Sequence, residues 1–408
     1  TYSVYRSYFT ANAYSSYQMK INAAVDYTTL YVYEAQPLVC AEVLPTGIHF
    51  AESSYSFYSN YESASILPLE ADMSGCTITP ALPAGLSLSN NCAITGVPTA
   101  ITPATPYTVQ SVIGGQTYTG TLSIETKGCT GTVAKIVRTY KTGATNERFV
   151  VTDAATQQPV LTVTSGQIPS ETKEYVVCLT GNKYSVSVSS TTNYWASGSY
   201  LYVRLMLSVT EYDTAARMRY DANLSLNHAR SFVGQFSVAP SQAWQYKMGQ
   251  VPANWQTEAG WTTASMGSFP ASTNQIQLYK NTFNVASLDD VAGFVISLRY
   301  IYGCIIYMNN VEVFRNGVEG DLTASSISTN NYNNILYRQI SLPVKTMAIG
   351  DQPSVNYLQQ GSNTIAIAIV SQMASQTTSY FDCAVRLMGS AEESRSYDFT
   401  SVGTTMSG

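Results

Sequence analysis

Short runs in which apolar and polar residues alternate recur along the chain at intervals of roughly ten residues, broken by Gly, Pro and Asn. Tyr107 to Val112, Ser185 to Val188, Phe294 to Leu298 and Thr364 to Val370 are clear cases. A period of two places successive side chains on opposite faces of a strand. In the last run Ile365, Ile367 and Ile369 share one face and Ala366 and Ala368 the other, which predicts a strand buried on both sides. Residues 133–140, 274–285 and 381–388 read as further strands. Long helix-forming stretches of Ala, Glu, Lys and Leu are nearly absent, while Tyr, Thr, Ser and Val suit pleated, half-buried surfaces. The expected fold class is all-β, built as tandem β-sandwiches.

Composition narrows the function. The 408 residues suffice for two to four domains, and 45% apolar residues give each a core. Charged residues make up only 12%, about half the usual share. With 21 Lys plus Arg against 26 Asp plus Glu, the net charge of −5 argues against nucleic acid as a partner, because phosphate neutralisation needs a basic excess. Two histidines, His49 and His228, leave little for histidine-based metal sites or Ser-His and Cys-His catalysis. No run of about 18 apolar residues predicts a membrane span. The chain begins at Thr1, as expected of a processed N-terminus or of a sequence that starts internally.

The seven cysteines, Cys40, Cys76, Cys92, Cys129, Cys178, Cys304 and Cys383, show no C-x-x-C pair. Widely spaced cysteines suit bridges between sandwich strands. The expected pairs are Cys76 with Cys92, Cys129 with Cys178 and Cys304 with Cys383, one in each proposed domain. Cys40 is left over, either buried and inert or an intermolecular link. Asn223-Leu224-Ser225 is an N-glycosylation sequon and, with the cysteines, fits a secreted or cell-surface protein. The Thr/Pro-rich segment 99–106 reads as an extended surface connection or a carrier of O-linked sugar.

Three modules and an arm follow. Cys76 to Leu88, containing Leu82-Pro83-Ala84-Gly85-Leu86-Ser87-Leu88, and Cys92 to Thr99, containing Ile94-Thr95-Gly96-Val97-Pro98-Thr99, resemble an immunoglobulin-like domain family of extracellular proteins in its protist-type form. The resemblance covers about residues 51–127 and implies a tight turn at Pro83 and Gly85, with Cys76 and Cys92 stapling neighbouring strands. From Cys129 through Tyr175-Val176-Val177-Cys178-Leu179-Thr180-Gly181 the chain resembles a β-sandwich repeated in protist surface proteins. The acidic loop of that pattern here reads Ser190-Thr191-Thr192-Asn193-Tyr194-Trp195, without the aspartates a calcium site would need, and Trp195 reads as a core or interface aromatic. The third module, from Trp244 through Gly303-Cys304 and Asn309-Asn310 to Gly361-Ser362-Asn363-Thr364-Ile365, resembles galactose-binding-like jelly rolls. Asn309-Asn310 supplies the left-handed residues of a tight hairpin. The expected boundaries are an arm at 1–24, an Ig-like domain at 25–127, a β-sandwich at 128–227, a jelly roll at 228–395 and a tail at 396–408.

The arm is rich in Tyr and short of aliphatics. Val4, Tyr5, Tyr8 and Phe9 could add as a strand to the edge of another copy, or form an ordinary edge strand of the first domain. Residues 25–34 read as a strand of that domain.

Catalytic signatures are scarce. Asp289-Asp290 and Glu392-Glu393 are adjacent and suit solvated turns better than a glycosidase pair, and no nucleophile elbow, P-loop or H-E-x-x-H is present. Arg299, Arg315 and Arg338 could grip a carboxylate or sugar hydroxyls, or pair with neighbours such as Glu312 and Glu319. The expected function is a non-enzymatic structural subunit of an extracellular fibre or surface coat, self-assembling through strand addition and Tyr-rich interfaces. It needs no cofactor, and its partners are copies of itself. The alternative is an adhesin for surface glycans acting through the jelly roll, for which Trp244, Trp255 and Trp261 must form an exposed platform. A secreted hydrolase ranks third.

Overall fold

Alternating segments become strands almost throughout a computed structural model that describes residues 47–70, 73–164, 166–190, 195, 198–219, 229–266, 268–269, 275–334, 336–348, 353–372 and 381–390. The expected arm with Val4, Tyr5, Tyr8 and Phe9, the strand at 25–34, Cys40, Asn223, His228, Glu392-Glu393 and the tail at 396–408 lie outside the described residues. The fold is all-β, and no helix among the described residues is long and apolar enough to cross a membrane.

The first sandwich uses β1 (Ser54–Tyr58), β2 (Ala64–Ile66), β3 (Thr77–Thr79), β4 (Leu86–Leu88), β5 (Ile94–Gly96), β6 (Thr102–Ile113) and β7 (Gln116–Lys127). A four-stranded sheet ordered β1-β7-β6-β3 faces a three-stranded sheet ordered β2-β5-β4. Ile66, Ile94, Tyr107, Val109, Leu122 and Ile124 fill the space between them. The Thr/Pro-rich segment is strand from Thr102 onward, with a register shift between Thr102 and Thr105. Its prolines fall outside the part of β6 that pairs with β3, where a missing N–H costs no ladder bond on that side. Gly85 (φ 91°) and Gly96 (φ 123°) lie where β4 and β5 close on each other. A Cβ on Gly85 would lie 2.0 Å from the Val97 carbonyl oxygen, and one on Gly96 2.2 Å from that of Gly85. The Cys76–Cys92 disulfide forms, with Cα atoms 5.2 Å apart. Cys76 leads into β3 and Cys92 into β5, so the bridge ties the two sheets together and not two neighbouring strands of one sheet.

The second sandwich comprises β8 (Thr132–Thr139), β9 (Glu147–Asp153), β10 (Pro159–Val163), β11 (Thr172–Leu179), β12 (Lys183–Ser190), β13 (Tyr200–Met206), β14 (Tyr212–Arg219) and β15 (Ala229–Val233). Its sheets are ordered β10-β9-β12-β15 and β11-β8-β13-β14. Because β15 pairs with β12 over Ala229 to Val233, the sandwich extends past the expected boundary at residue 227. Trp195 is fully buried in the core with Ile136, Phe149, Val186, Leu201 and Phe232. The Cys129–Cys178 disulfide (Cα–Cα 5.5 Å) ties the approach to β8 onto β11.

The third sandwich runs through β16 (Phe236–Val238), β17 (Trp244–Met248), β18 (Thr262–Ala264), β19 (Ile276–Val285), β20 (Val291–Arg299), β21 (Gly303–Met308), β22 (Val311–Asn316), β23 (Arg338–Pro343), β24 (Gly361–Val370) and β25 (Asp382–Gly389). A four-stranded sheet ordered β16-β25-β20-β23 packs on a six-stranded sheet ordered β18-β17-β19-β24-β21-β22. Asn309 (φ 49°) and Asn310 (φ 66°) make the β21–β22 turn. The Asn309 side-chain amide also donates to the Tyr357 carbonyl (2.9 Å) and to Asn363 Oδ1 (2.8 Å), pinning the hairpin to β24. In β24, Ile365, Ile367 and Ile369 enter the core between the sheets, while Ala366 and Ala368 enter a second apolar cluster on the outer face.

The expected Cys304–Cys383 bridge is not formed, and both residues are buried thiols. Cys304 lies on β21 in the six-stranded sheet and Cys383 on β25 in the four-stranded one. A bridge across two sheets needs Cα atoms within about 7 Å, as at Cys76–Cys92 (5.2 Å), closer than the usual spacing of about 10 Å between packed sheets. Both thiols pack as small apolar groups in the core, where desolvation pushes the Cys383 thiol well above its usual pKa.

Two outcomes are expected. Alkylation and peptide mapping will find Cys304 and Cys383 blocked in the native protein and labelled after unfolding, with the bridges at 76–92 and 129–178 intact; a 304–383 crosslink would contradict this arrangement. Gly96→Ala will lower the first sandwich's unfolding midpoint in urea, since left-handed strain costs about 1–3 kcal/mol before the clash is counted.

Candidate functional site

The outer face of the six-stranded sheet is only partly covered, and the chain that covers it builds a polar groove. Between β17 and β18 the loop lays Trp255 over Ile276, Leu278, Ile305 and Ala368, closing the second apolar cluster. Trp261 stacks on Trp255 (6.2 Å between centroids, 16° between planes), and Tyr307 meets Trp255 edge-on at 5.6 Å. Beyond the rings, Glu258 acts as a hub. Its carboxylate accepts from Lys247 Nζ (3.0 and 2.8 Å) and from Trp261 Nε1 (2.8 Å), and its carbonyl accepts from Lys280 Nζ. These bonds hold the Glu258 carboxyl below its ordinary pKa, chiefly through Lys247 and then Trp261. Lys280 is buried at 7% exposure, with its ammonium 4.3 Å from the Trp261 ring centroid, and burial lowers its pKa. A groove of 520 Å³ opens beside this hub, lined by Gln245, Gln256, Thr263, Asn281, Thr282 and Lys280 among others. Amides and hydroxyls beside an indole can bond to hydroxyl-rich ligands.

The expected tryptophan platform does not exist. Trp244 is 1% exposed, packed edge-on against Phe381 at 5.1 Å, and Trp255 is 4% exposed. Both serve the apolar layers on the two sides of the sheet. Trp261 alone of the three keeps part of its surface open.

A second polar constellation joins the second and third sandwiches. Among the described residues β14 is the edge strand of its sheet, so carbonyls on its outer side have no strand partner there. Side chains of the third sandwich supply the donors: Gln339 Nε2 to the Tyr212 carbonyl (2.8 Å) and Arg386 Nη2 to that of Thr214 (2.9 Å). Asp213 pairs with Arg386 (3.0 Å), each side chain 2% exposed, and accepts from Ser297 Oγ (3.3 Å). Just before β14, Glu211 pairs with Arg299 and accepts the Tyr337 amide (2.9 Å). Lys183 and Asp290 (3.0 Å) close the far end of the junction.

The remaining candidate residues find local partners. Arg315 grips Glu312 bidentately (2.7 and 2.6 Å), and Arg338 donates to Tyr300 Oη (2.7 Å). Asp289 bonds Ser287, so the Asp289-Asp290 pair is spent on separate contacts. His49 lies against Glu70 (2.5 Å). Not foreseen was Arg138, fully buried in the second sandwich, paired with Glu147 and set 3.7 Å from the Trp195 ring centroid. Desolvation depresses its pKa, with Glu147 opposing. A lone Arg in an alternating strand carries no signal that distinguishes it from a solvated one. Among the described residues, no group of three or more His, Cys, Asp and Glu is placed to hold a metal.

No family model and no curated protein matches the chain. Among solved structures it is similar to an α-L-rhamnosidase from Dictyoglumus thermophilum (6% identity, 72% of this chain, 27% of that one, TM-score 0.23). It is also similar to an α-L-rhamnosidase from Streptomyces avermitilis solved with L-rhamnose (11%, 86% and 40%, TM-score 0.19). A third similarity is to immunoglobulin domains 1–5 of Sidekick-1 (10%, 84% and 80%, TM-score 0.18). The chain thus spans about a quarter to two fifths of the rhamnosidases' length. Likenesses this distant carry no argument about chemistry.

The junction predicts that Asp213→Ala, which strands Arg386 without its counter-charge, will destabilise by about 3–5 kcal/mol in urea titration. A loss under 1 kcal/mol would show that the pair is solvated. The groove predicts a pH response. Because the Glu258 carboxyl is depressed, its tie to Lys247 and Trp261 is fully present above the ordinary value of about 4.3 and is lost as pH falls through the lowered one. Trp261 fluorescence, read as the difference from Trp261→Phe, will hold steady from neutral pH to the ordinary carboxylate range and change only below it.

Proposed function

We propose that the chain is a structural subunit of an extracellular fibre or surface coat that assembles with copies of itself. The observation that carries this reading is the junction: the edge of β14 in one sandwich takes hydrogen bonds from the buried Arg386 and the half-buried Gln339 of the next, which ties the two modules together. Relative motion is the default between neighbouring modules, and a load-bearing subunit is served by contacts that oppose it. The disulfides at 76–92 and 129–178 brace the first two sandwiches and fit an oxidising, extracellular setting. The Tyr-rich segment with Val4, Tyr5, Tyr8 and Phe9 is the proposed connector, adding as a strand to a neighbouring copy.

A second reading, glycan adhesion, is favoured by the groove beside Trp261, whose amides and hydroxyls match sugar hydroxyls. It uses Trp261 alone, since Trp244 and Trp255 are core residues.

Electron microscopy and sedimentation of the intact chain and of one lacking residues 1–24 separate the two. Long regular particles that vanish on truncation are expected. Monodisperse monomers in both samples would remove the polymer reading, and glycan binding lost in Trp261→Ala would then establish the second.

A further inference from the structure

Beside the junction lies a cleft of 210 Å³ with one wall from the β13–β14 hairpin and the other from β23 and β25. On the hairpin wall Tyr202 pairs directly with Arg217 across the ladder, and a bulge follows between Val203 and Arg204. The extra residue opposite that bulge re-aims the strand, as bulges do beside binding sites. Arg204 and Arg217 sit over the Tyr202 ring, their guanidinium carbons 5.5 and 5.2 Å from its centroid, and Arg204 is also 5.0 Å from that of Tyr212. Gln339 and Ser341 face them from the third sandwich.

Charge accounting makes this cleft unusual. Lys135, near Tyr212, is neutralised by Glu174 (2.8 Å). Asp213 also lines the cleft, but its charge is taken by Arg386. The side chains of Arg204 and Arg217 have ring contacts and no ion pair or hydrogen bond among the described residues. Two uncompensated guanidiniums thus share one cleft in a chain whose net charge is −5 and only 12% of whose residues are charged. A contact with an aromatic ring attracts the cation but supplies no carboxylate or other forked acceptor for its N–H donors.

We propose that this cleft is a binding site for an oxyanion group, a carboxylate or sulfate, held between Arg204 and Arg217. The small volume suits a single such group, either free or pendant on a saccharide whose remaining rings lie outside. The site does not depend on whether the chain polymerises.

Calorimetry on the full chain, at low and high salt, tests it with three probes: sodium sulfate, a sulfated oligosaccharide and the same oligosaccharide desulfated. Saturable binding of the sulfated oligosaccharide, weakened by salt and absent for the desulfated one, is the expected result. Binding of inorganic sulfate of equal strength would identify the free ion as the ligand of the same site. Arg204→Gln and Arg217→Gln are each expected to weaken binding about tenfold, as loss of a charged hydrogen bond does. The double variant should abolish it, with Lys345→Gln as an unaffected control. Tyr202→Phe keeps the ring and should retain affinity, whereas Tyr202→Ala should lose it. Circular dichroism and melting of each variant matched to the parent exclude misfolding. No binding of either sulfated probe, or undiminished binding in the folded double variant, overturns the proposal.

Discussion

The edge of β14 is the constraint on which the arrangement of the second and third sandwiches depends. An edge strand offers unpaired carbonyls that must find donors, and burial makes each orphan costly. Here the donors come from Gln339 and Arg386 of the next sandwich, and the carboxylates of Glu211 and Asp213 draw in Arg299 and Arg386. Arg386 serves twice, as donor to a carbonyl and as counter-ion to Asp213. Removing any member leaves others desolvated and unpaired, which is why such clusters hold a geometry firmly even when their net contribution to stability is small.

The cleft follows from that junction. Once Arg386 consumes Asp213, nothing on the adjacent hairpin balances Arg204 and Arg217, and tyrosine faces hold them in place instead. The same economy recurs at Arg138, whose charge is met by Glu147 and by the rings of Trp195 and Tyr140. Tyrosine and tryptophan take up cationic faces where carboxylates are scarce, and in a chain with 31 Tyr and 26 Asp plus Glu this is a recurrent solution.

Much of the architecture was legible. Period-two alternation located β6, β12, β20 and β24, and the Ile and Ala faces of β24 are each buried in their own apolar layer. Asn309-Asn310 marked its hairpin because few residues adopt a positive φ cheaply. Two disulfides were readable from spacing, yet the third was not, since spacing says nothing about how closely two strands approach each other in the fold. The boundary near residue 227 slipped for a similar reason: β15 joins the second sandwich through partner residues of β12 that lie more than forty positions earlier. The junction arginines were individually visible, but pairing across modules is set by long-range packing and leaves no local pattern.

The tryptophans show how one composition supports two layers. A sheet with helices or loops on neither side would expose Ile276, Leu278 and Ala368 to water, and about 25 cal/mol per Å² of apolar surface favours covering them. Trp255 does so, and Trp261 stacks on it with its Nε1 bound to Glu258. The ring that remains partly open is therefore held from beneath by an aromatic face and from the side by a carboxylate, while Lys280 sits against it. Glu258 and Lys280, fixed by their contacts with that indole, in turn line the groove, so a hydroxyl-rich ligand would meet groups that are already ordered. The packing that excludes a broad tryptophan platform is thus the same packing that fixes the polar wall of the groove.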